Sequence, residues 1–154
     1  MDDDALRPPT LLGLPAYLAV HVARIAHRPL VDALAAQGLR LPHFAVLAAL
    51  GDFGPLAQHE IAERLALGRS HLVGYLDDLA DGGHIVRERD PADRRRQRVA
   101  LREPGAALLA SLIDIARASE AERLSVLSDD EQRTLVALLR RVVVADDAAR
   151  APEM

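Results

Sequence analysis

Seven arginines stand between residues 87 and 102 against three carboxylates, Glu88, Asp90 and Asp93, in a chain whose formal net charge is −4. This local excess of four positive charges centres on the run Arg94-Arg95-Arg96. A guanidinium stays charged and presents its N–H donors as a planar fork, so the chemistry open to such a cluster is contact with phosphate oxygens or with a narrow minor groove. The plainer use is a solvated turn, with one of the three arginines paired to Asp90 or Asp93 to hold its shape; Asp93 suits orienting an arginine better than facing an anion. Other chemistries find little footing. There is no nucleophile set beside a base, no phosphate-cradling glycine loop and no Gly-x-Ser-x-Gly elbow, which argues against an enzyme. His59-Glu60 followed by Glu63 lacks the second histidine of a zinc-binding helix. With no cysteine in the chain, disulfides, thiolate metal sites and thiol sensing are excluded, and neither a metal nor a cofactor is expected.

A second group of side chains able to meet a partner is Arg69-Ser70-His71, with Tyr75 one turn further on. The elements that must position both groups can be read from spacing. Ile61 and Leu65 lie one helical turn apart, and Leu72, Leu76 and Leu79 recur at steps of four and three, giving two short helices with one apolar stripe each. Between them Leu67-Gly68-Arg69-Ser70 supplies a glycine for the turn and a serine able to hydrogen-bond exposed amides at the second helix's start. The second helix should stop at Gly82-Gly83. His84 to Arg89 and Gln97 to Leu101 then read as β-strands flanking a polar loop with Pro91, a hairpin that carries the arginines. Residues 61–101 thus predict a winged helix-turn-helix: Arg69, Ser70 and His71 at the start of a recognition helix, and Arg94, Arg95 and Arg96 on the wing. Tyr75 is placed to reach a phosphate or a thymine methyl, or to pack on its own helix.

Composition limits the alternatives. The chain has 154 residues, half of them hydrophobic, enough for one domain with a core. All 19 of its basic residues are arginine, and arginine also abounds far from the hairpin, so the count alone says little. An acidic chain with one basic patch fits site-specific binding better than sequence-independent coating of nucleic acid. No basic region leads into an apolar segment at the N-terminus and no apolar run approaches the length of a membrane span; a cytoplasmic protein without membrane contact is expected.

In order, Met1 to Pro9 is acidic and proline-rich and should be ragged. A helix is predicted from about Pro15 to Gln37, with one stripe of Leu14, Leu18, Val22 and Ile25, another of Leu30 and Leu34, and a kink or break near Arg28 where Pro29 interrupts it. Gly38 closes it; Pro42 opens the next, which carries Phe44, Leu47 and Leu50. After the winged region, Pro104-Gly105 begins a helix to about Leu124. Ser128-Asp129-Asp130-Glu131 has the spacing of a capping box and opens a last helix with Leu135, Leu138, Leu139, Val142 and Val143 in its stripe; Ala148 to Met154 should fray. The total is six helices and one hairpin. The apolar stripes at both ends need a covering surface, and a second copy of the chain supplies one, at the same time placing two recognition helices about one turn of duplex, roughly 34 Å, apart. The organisation expected is therefore a single mainly α domain over residues 1–154, with dimerisation helices at 10–40 and 104–148 and the winged helix-turn-helix at 42–102.

Over residues 10–148 the chain resembles the MarR (multiple antibiotic resistance regulator) family. The closest stretches are Gln58 to Leu65, Arg69 to Leu79, Asp90-Pro91-Ala92-Asp93-Arg94-Arg95, and Val99-Ala100-Leu101 before Pro104-Gly105. The resemblance implies a homodimeric transcriptional regulator, a repressor more often than an activator, that binds pseudo-palindromic duplex DNA and responds to a small aromatic or phenolic effector. It also implies wing arginines in the minor groove, here Arg94 and Arg95, and a recognition helix in the major groove led by Arg69, Ser70, His71 and Tyr75. By the same resemblance an effector would sit near Tyr17, His21, Phe44 and Leu47, although a lone histidine such as His21 more often serves a core or a dimer interface. Where the family usually has threonine before Pro-Gly this chain has Arg102-Glu103, which weakens the expected cap. The alternative from another class is a winged-helix module that binds an acidic protein without reading DNA.

Overall fold

The computed structural model describes residues 6–151. The chain divides between Ser119 and Glu120 into two compact units. The first holds α1 (Pro9–Leu12), α2 (Pro15–Ala35), α3 (Leu41–Phe53), β1 (Leu56–Ala57), α4 (Gln58–Leu65), α5 (Arg69–Asp81), β2 (Ile85–Arg89), β3 (Gln97–Leu101) and most of α6 (Glu103–Arg123); the second holds the end of α6 and α7 (Asp129–Arg150). This is the mainly α, winged helix-turn-helix architecture that the spacing predicts, with seven helices among the described residues in place of six. None of these helices is long and apolar enough to cross a membrane.

The stripes read from the sequence account for the core. Leu72, Leu76 and Leu79 of α5 have no exposed surface, and Ile61 of α4, Val46 and Leu47 of α3 and Leu34 of α2 are sealed to the same degree. They form one cluster with Leu30, Leu50, Leu56, Ile85, Val99 and Leu112. Burial of a leucine or isoleucine side chain contributes about 1.5–3 kcal/mol, so these residues outweigh any single polar contact of the unit. Ser119 adds a directional tie: its buried hydroxyl donates to the carbonyl of Ala26 in α2 at 2.7 Å.

Four local expectations need correction. Pro29 lies inside α2, which continues unbroken to Ala35; the proline removes one backbone donor, but Leu30 and Leu34 just beyond it are buried and hold the last turns in the core. The turn between α4 and α5 is made by Ala66, in the left-handed region at φ 51°, whereas Gly68 is extended at φ −62°. Ser70 does not cap α5, because Gly68 is the N-cap residue and Ser70 already lies within the helix. The wing, finally, is not a lone hairpin. Leu56–Ala57 adds a short strand to β3, giving the antiparallel order β1-β3-β2 with Leu56 opposite Val99 and Arg87 opposite Val99 on the other side. Both neighbours of the strand pair bury their apolar member (Leu56, Ile85, Val99), which seats the base of the wing on the core.

In the second unit, Ser128 caps α7 as the sequence indicates: Glu131 N–H donates to the Ser128 hydroxyl oxygen at 3.2 Å, and Glu131 Oε2 accepts the N–H of Ser128 at 2.8 Å. Gln132 closes the preceding turn by donating to the carbonyls of Leu124 and Leu127. Along α7 no residue is buried; Leu138, Leu139, Val142 and Val143 are all exposed. Leu14, the N-cap residue of α2, and Leu18, Val22 and Ile25 within it are exposed likewise.

Candidate nucleic-acid interface

The structure sorts the arginines, which the sequence cannot do. Arg98 donates to Glu88 at 2.8 Å, and the two residues face each other across β3 and β2. Arg87 reaches back from β2 to Asp77 of α5 at 2.6 Å. These two guanidiniums are spent on fixing the wing to itself and to α5. Arg96 lies 3.6 Å from Asp93 and keeps 71% of its side chain exposed. Arg89, Arg94, Arg95 and Arg102 make no ion pair among the described residues.

The carboxylates of the wing loop act on the backbone. Asp90 Oδ1 accepts the N–H of Ala92 at 2.9 Å and Asp93 Oδ1 accepts that of Arg95 at 3.0 Å, each two residues on. The N–H of Asp90 donates to the carbonyl of Arg96, and that of Arg96 to the carbonyl of Asp93. These Asx turns are the local alternative to a disordered loop. They set Arg94 and Arg95 at its tip with exposed side chains, so Asp90 and Asp93 shape the loop that displays the cations.

Arg69, Ser70 and His71 occupy the exposed first turn of α5, where no side chain caps the helix. The unpaired amides and helix dipole of such a turn favour an anion. Arg69 and Arg96 share a site: with Ala57, Gln58, His59 and Gln97 they line one shallow concavity of about 470 Å³, where the starts of α4 and α5 and the base of the wing converge. Spacing does not place Gln58, His59 or Gln97 beside these arginines, because the third strand that brings them there is only two residues long. Tyr75 points elsewhere. Its ring meets His43 edge-on with centroids 5.0 Å apart, and the Arg40 guanidinium lies 5.5 Å over it.

The four residues expected near an effector separate into two pairs. Tyr17 and His21 lie one turn apart on α2, their rings in tilted contact at 59° with centroids 4.3 Å apart. Arg7 donates to the Tyr17 hydroxyl at 2.8 Å and lies 3.4 Å from His21 Nε2, while Arg24 is 2.7 Å from His21 Nδ1. Partial desolvation, and then the Arg7 and Arg24 guanidiniums, hold the pKa of His21 below the ordinary imidazole value. Two cationic donors and a phenol thus surround a neutral ring, a set of groups suited to an anionic aromatic molecule. Leu47 is fully buried and Phe44 packs, partly buried, against the same core. The larger open concavity, about 720 Å³, lies along α2 from Ala23 to Asp32 and includes Arg24 and Leu41.

Comparison with known proteins adds a family. A family model described as MarR family matches residues 37–96, which includes all of α3 to α5 and the wing loop. The chain is 32% identical over 141 residues to the transcriptional regulator HosA of Escherichia coli O111:H-, covering 92% of this chain and 99% of that one. Among solved structures, it is 29% identical to the PcaV transcriptional regulator from Streptomyces coelicolor in complex with its natural ligand, with a TM-score of 0.72 over 92% of this chain and 99% of that chain. It is 28% identical to the transcriptional repressor CouR bound to a 23-mer DNA duplex, with a TM-score of 0.76 over 90% and 99%.

Proposed function

The chain belongs to the MarR family, and from that premise we propose that it is a homodimeric, ligand-responsive transcriptional regulator, a repressor by the parallel of CouR, that binds pseudo-palindromic duplex DNA in the cytoplasm and catalyses no reaction. Arg94, Arg95 and Arg96 of the wing meet the DNA backbone or minor groove, and Arg69, Ser70 and His71 enter the major groove. Tyr75, turned toward His43 and Arg40, packs against the start of α3 instead of joining them. The observation that carries this reading is the sorting of the arginines: Arg87 and Arg98 are tied to carboxylates, while Arg94 and Arg95 stand exposed on a loop folded by Asp90 and Asp93. A module built to bind an acidic protein has no need of this geometry beside an uncapped helix start, and the family and the CouR–DNA complex favour DNA.

The exposed stripes of α2 and α7 are the surfaces through which two copies pair. A small aromatic or phenolic effector, seated near Tyr17 and His21, changes the spacing of the two heads; Phe44 and Leu47, packed into the core, do not line that seat. Support for that seat comes from the Arg7, Tyr17, His21 and Arg24 cluster and from the parallel of PcaV with its ligand. A difference of about 1–3 kcal/mol in effector affinity between the two spacings is enough to switch DNA occupancy. The experiment is an electrophoretic mobility shift with the intergenic DNA upstream of the protein's own gene against a scrambled duplex of equal length, near physiological salt. A selective shift supports the reading; equal binding to both duplexes removes it for that site, and selection from fragmented genomic DNA then decides whether any duplex is preferred.

A further inference from the structure

His43 is the only ionisable side chain in the core among the described residues, with 1% of its surface exposed. Nδ1 accepts the N–H of Arg40 at 2.9 Å, and Nε2 lies 2.9 Å from Asp78 Oδ2. A ring nitrogen that accepts a backbone N–H carries no hydrogen, so the hydrogen sits on Nε2 and is donated to the carboxylate; both nitrogens of the neutral ring are satisfied. The two partners belong to different elements. Arg40 is the residue before α3, and Asp78 lies in α5. Tyr75, three residues before Asp78 and hence on the same face of α5, meets the imidazole edge-on and lies under the Arg40 guanidinium.

The start of α3 therefore grips one face of α5 through a hydrogen bond and an aromatic contact, while Leu72, Leu76 and Leu79 bury another. Apolar packing is non-directional and restrains the distance between two helices better than the rotation of one about its axis. A hydrogen bond weakens steeply with angle. Turning α5 by one residue, about 100°, would swing Asp78 out of reach of a ring that cannot follow it.

We infer that His43 is a positioning residue for DNA reading: through Asp78 it sets the rotation of α5, and so which side chains of Arg69, Ser70 and His71 face the groove. This rests on the reading of α5 as the helix that enters DNA. Wing contacts to phosphate do not pass through this strut, so its loss should blunt sequence discrimination more than general affinity.

Three variants test it: His43→Leu, His43→Gln, whose amide can accept from Arg40 and donate to Asp78, and Asp78→Ala, which changes a half-exposed side chain and leaves the start of α3 intact. Amide hydrogen exchange along α5 is followed without DNA. Affinity is measured for a duplex enriched from fragmented genomic DNA by the wild-type chain and for a scrambled duplex of the same length. His43→Leu and Asp78→Ala should speed exchange in α5 and lower the ratio of the two affinities by roughly tenfold, with scrambled-duplex affinity and its salt dependence kept; His43→Gln should restore both readouts. Unchanged α5 exchange and an unchanged ratio in Asp78→Ala overturn the inference, as does a proportional weakening on both duplexes, which marks a merely structural loss. If the wild-type chain prefers no duplex, it is the reading of α5 that fails, and the exchange data alone show whether His43 fixes the helix.

Discussion

The carbonyl oxygen of His84 stands 2.1 Å from the point where a β-carbon on Gly105 would lie. The same oxygen accepts the N–H of Arg102 at 3.0 Å. The first turn of α6 thus rides directly on the backbone that leads into β2, and only a residue without a side chain fits there. The Pro-Gly pair that signals a helix start in the sequence serves here as a close contact between the wing and α6.

Gly105→Ala should therefore destabilise the protein by about 2–3 kcal/mol, since neither backbone can yield without breaking the bond to Arg102. Chemical denaturation measures it. A loss below a few tenths of a kcal/mol would mean that the contact relaxes freely.

Arg95→Ala should weaken binding to the preferred duplex by about 1–2 kcal/mol and reduce the slope of log affinity against log salt by roughly one, while the melting temperature stays put. Arg98→Ala should do the reverse in kind, since its guanidinium is held by Glu88 across the strands: a modest loss of wing order with little change in salt slope. Fluorescence anisotropy over a salt series separates the two, and equal behaviour of the two variants would undo the division between tethered and free arginines.

His21 should titrate below the ordinary histidine value in a proton–nitrogen NMR series, and Arg24→Ala or Arg7→Ala should raise its midpoint. The sign for stability follows. With the folded value depressed, the unfolded chain takes up the proton first as pH falls; the contribution of neutral His21 is present above the ordinary value and is lost as pH falls through the lowered one. A midpoint at or above the ordinary value in the wild-type chain would contradict the arrangement of Arg7 and Arg24 around the ring.

Ser128→Ala should cost about 1 kcal/mol, because it removes the acceptor for the N–H of Glu131 and leaves only the reciprocal bond from the backbone N–H of residue 128 to Glu131. Loss of far-UV ellipticity on heating, compared with wild type, reports it. An unchanged transition would show that α7 is held by other contacts.

The parts legible in the sequence share one property: they depend on periodicity or on chemistry within a few residues. The stripe of Leu72, Leu76 and Leu79, the strands around Pro91 and the Ser128–Glu131 box are of this kind. What was not legible depends on residues distant in the chain or on which of several similar groups is already engaged. Arg87 and Arg94 look alike until Asp77 is seen beside one of them. His43 gives a faint local sign, three residues after Arg40, but nothing in the chain points to Asp78, 35 residues away. The strand Leu56–Ala57 is too short to carry a period of two, yet it brings Gln58 and His59 beside Arg69 and Arg96. Gly68 was an inviting turn residue by type, whereas Ala66 takes the left-handed conformation because the carbonyls at the end of α4 are closed through Ala66 and Leu67.

The measurement that bears most directly on DNA reading is equilibrium binding of the wild-type chain to a duplex it enriches from fragmented genomic DNA and to a scrambled duplex, over a series of salt concentrations. Both affinities should fall linearly with log salt, and near physiological salt the enriched duplex should be preferred by at least roughly a thousandfold. Equal affinity for the two duplexes across the series would contradict a sequence-specific regulator.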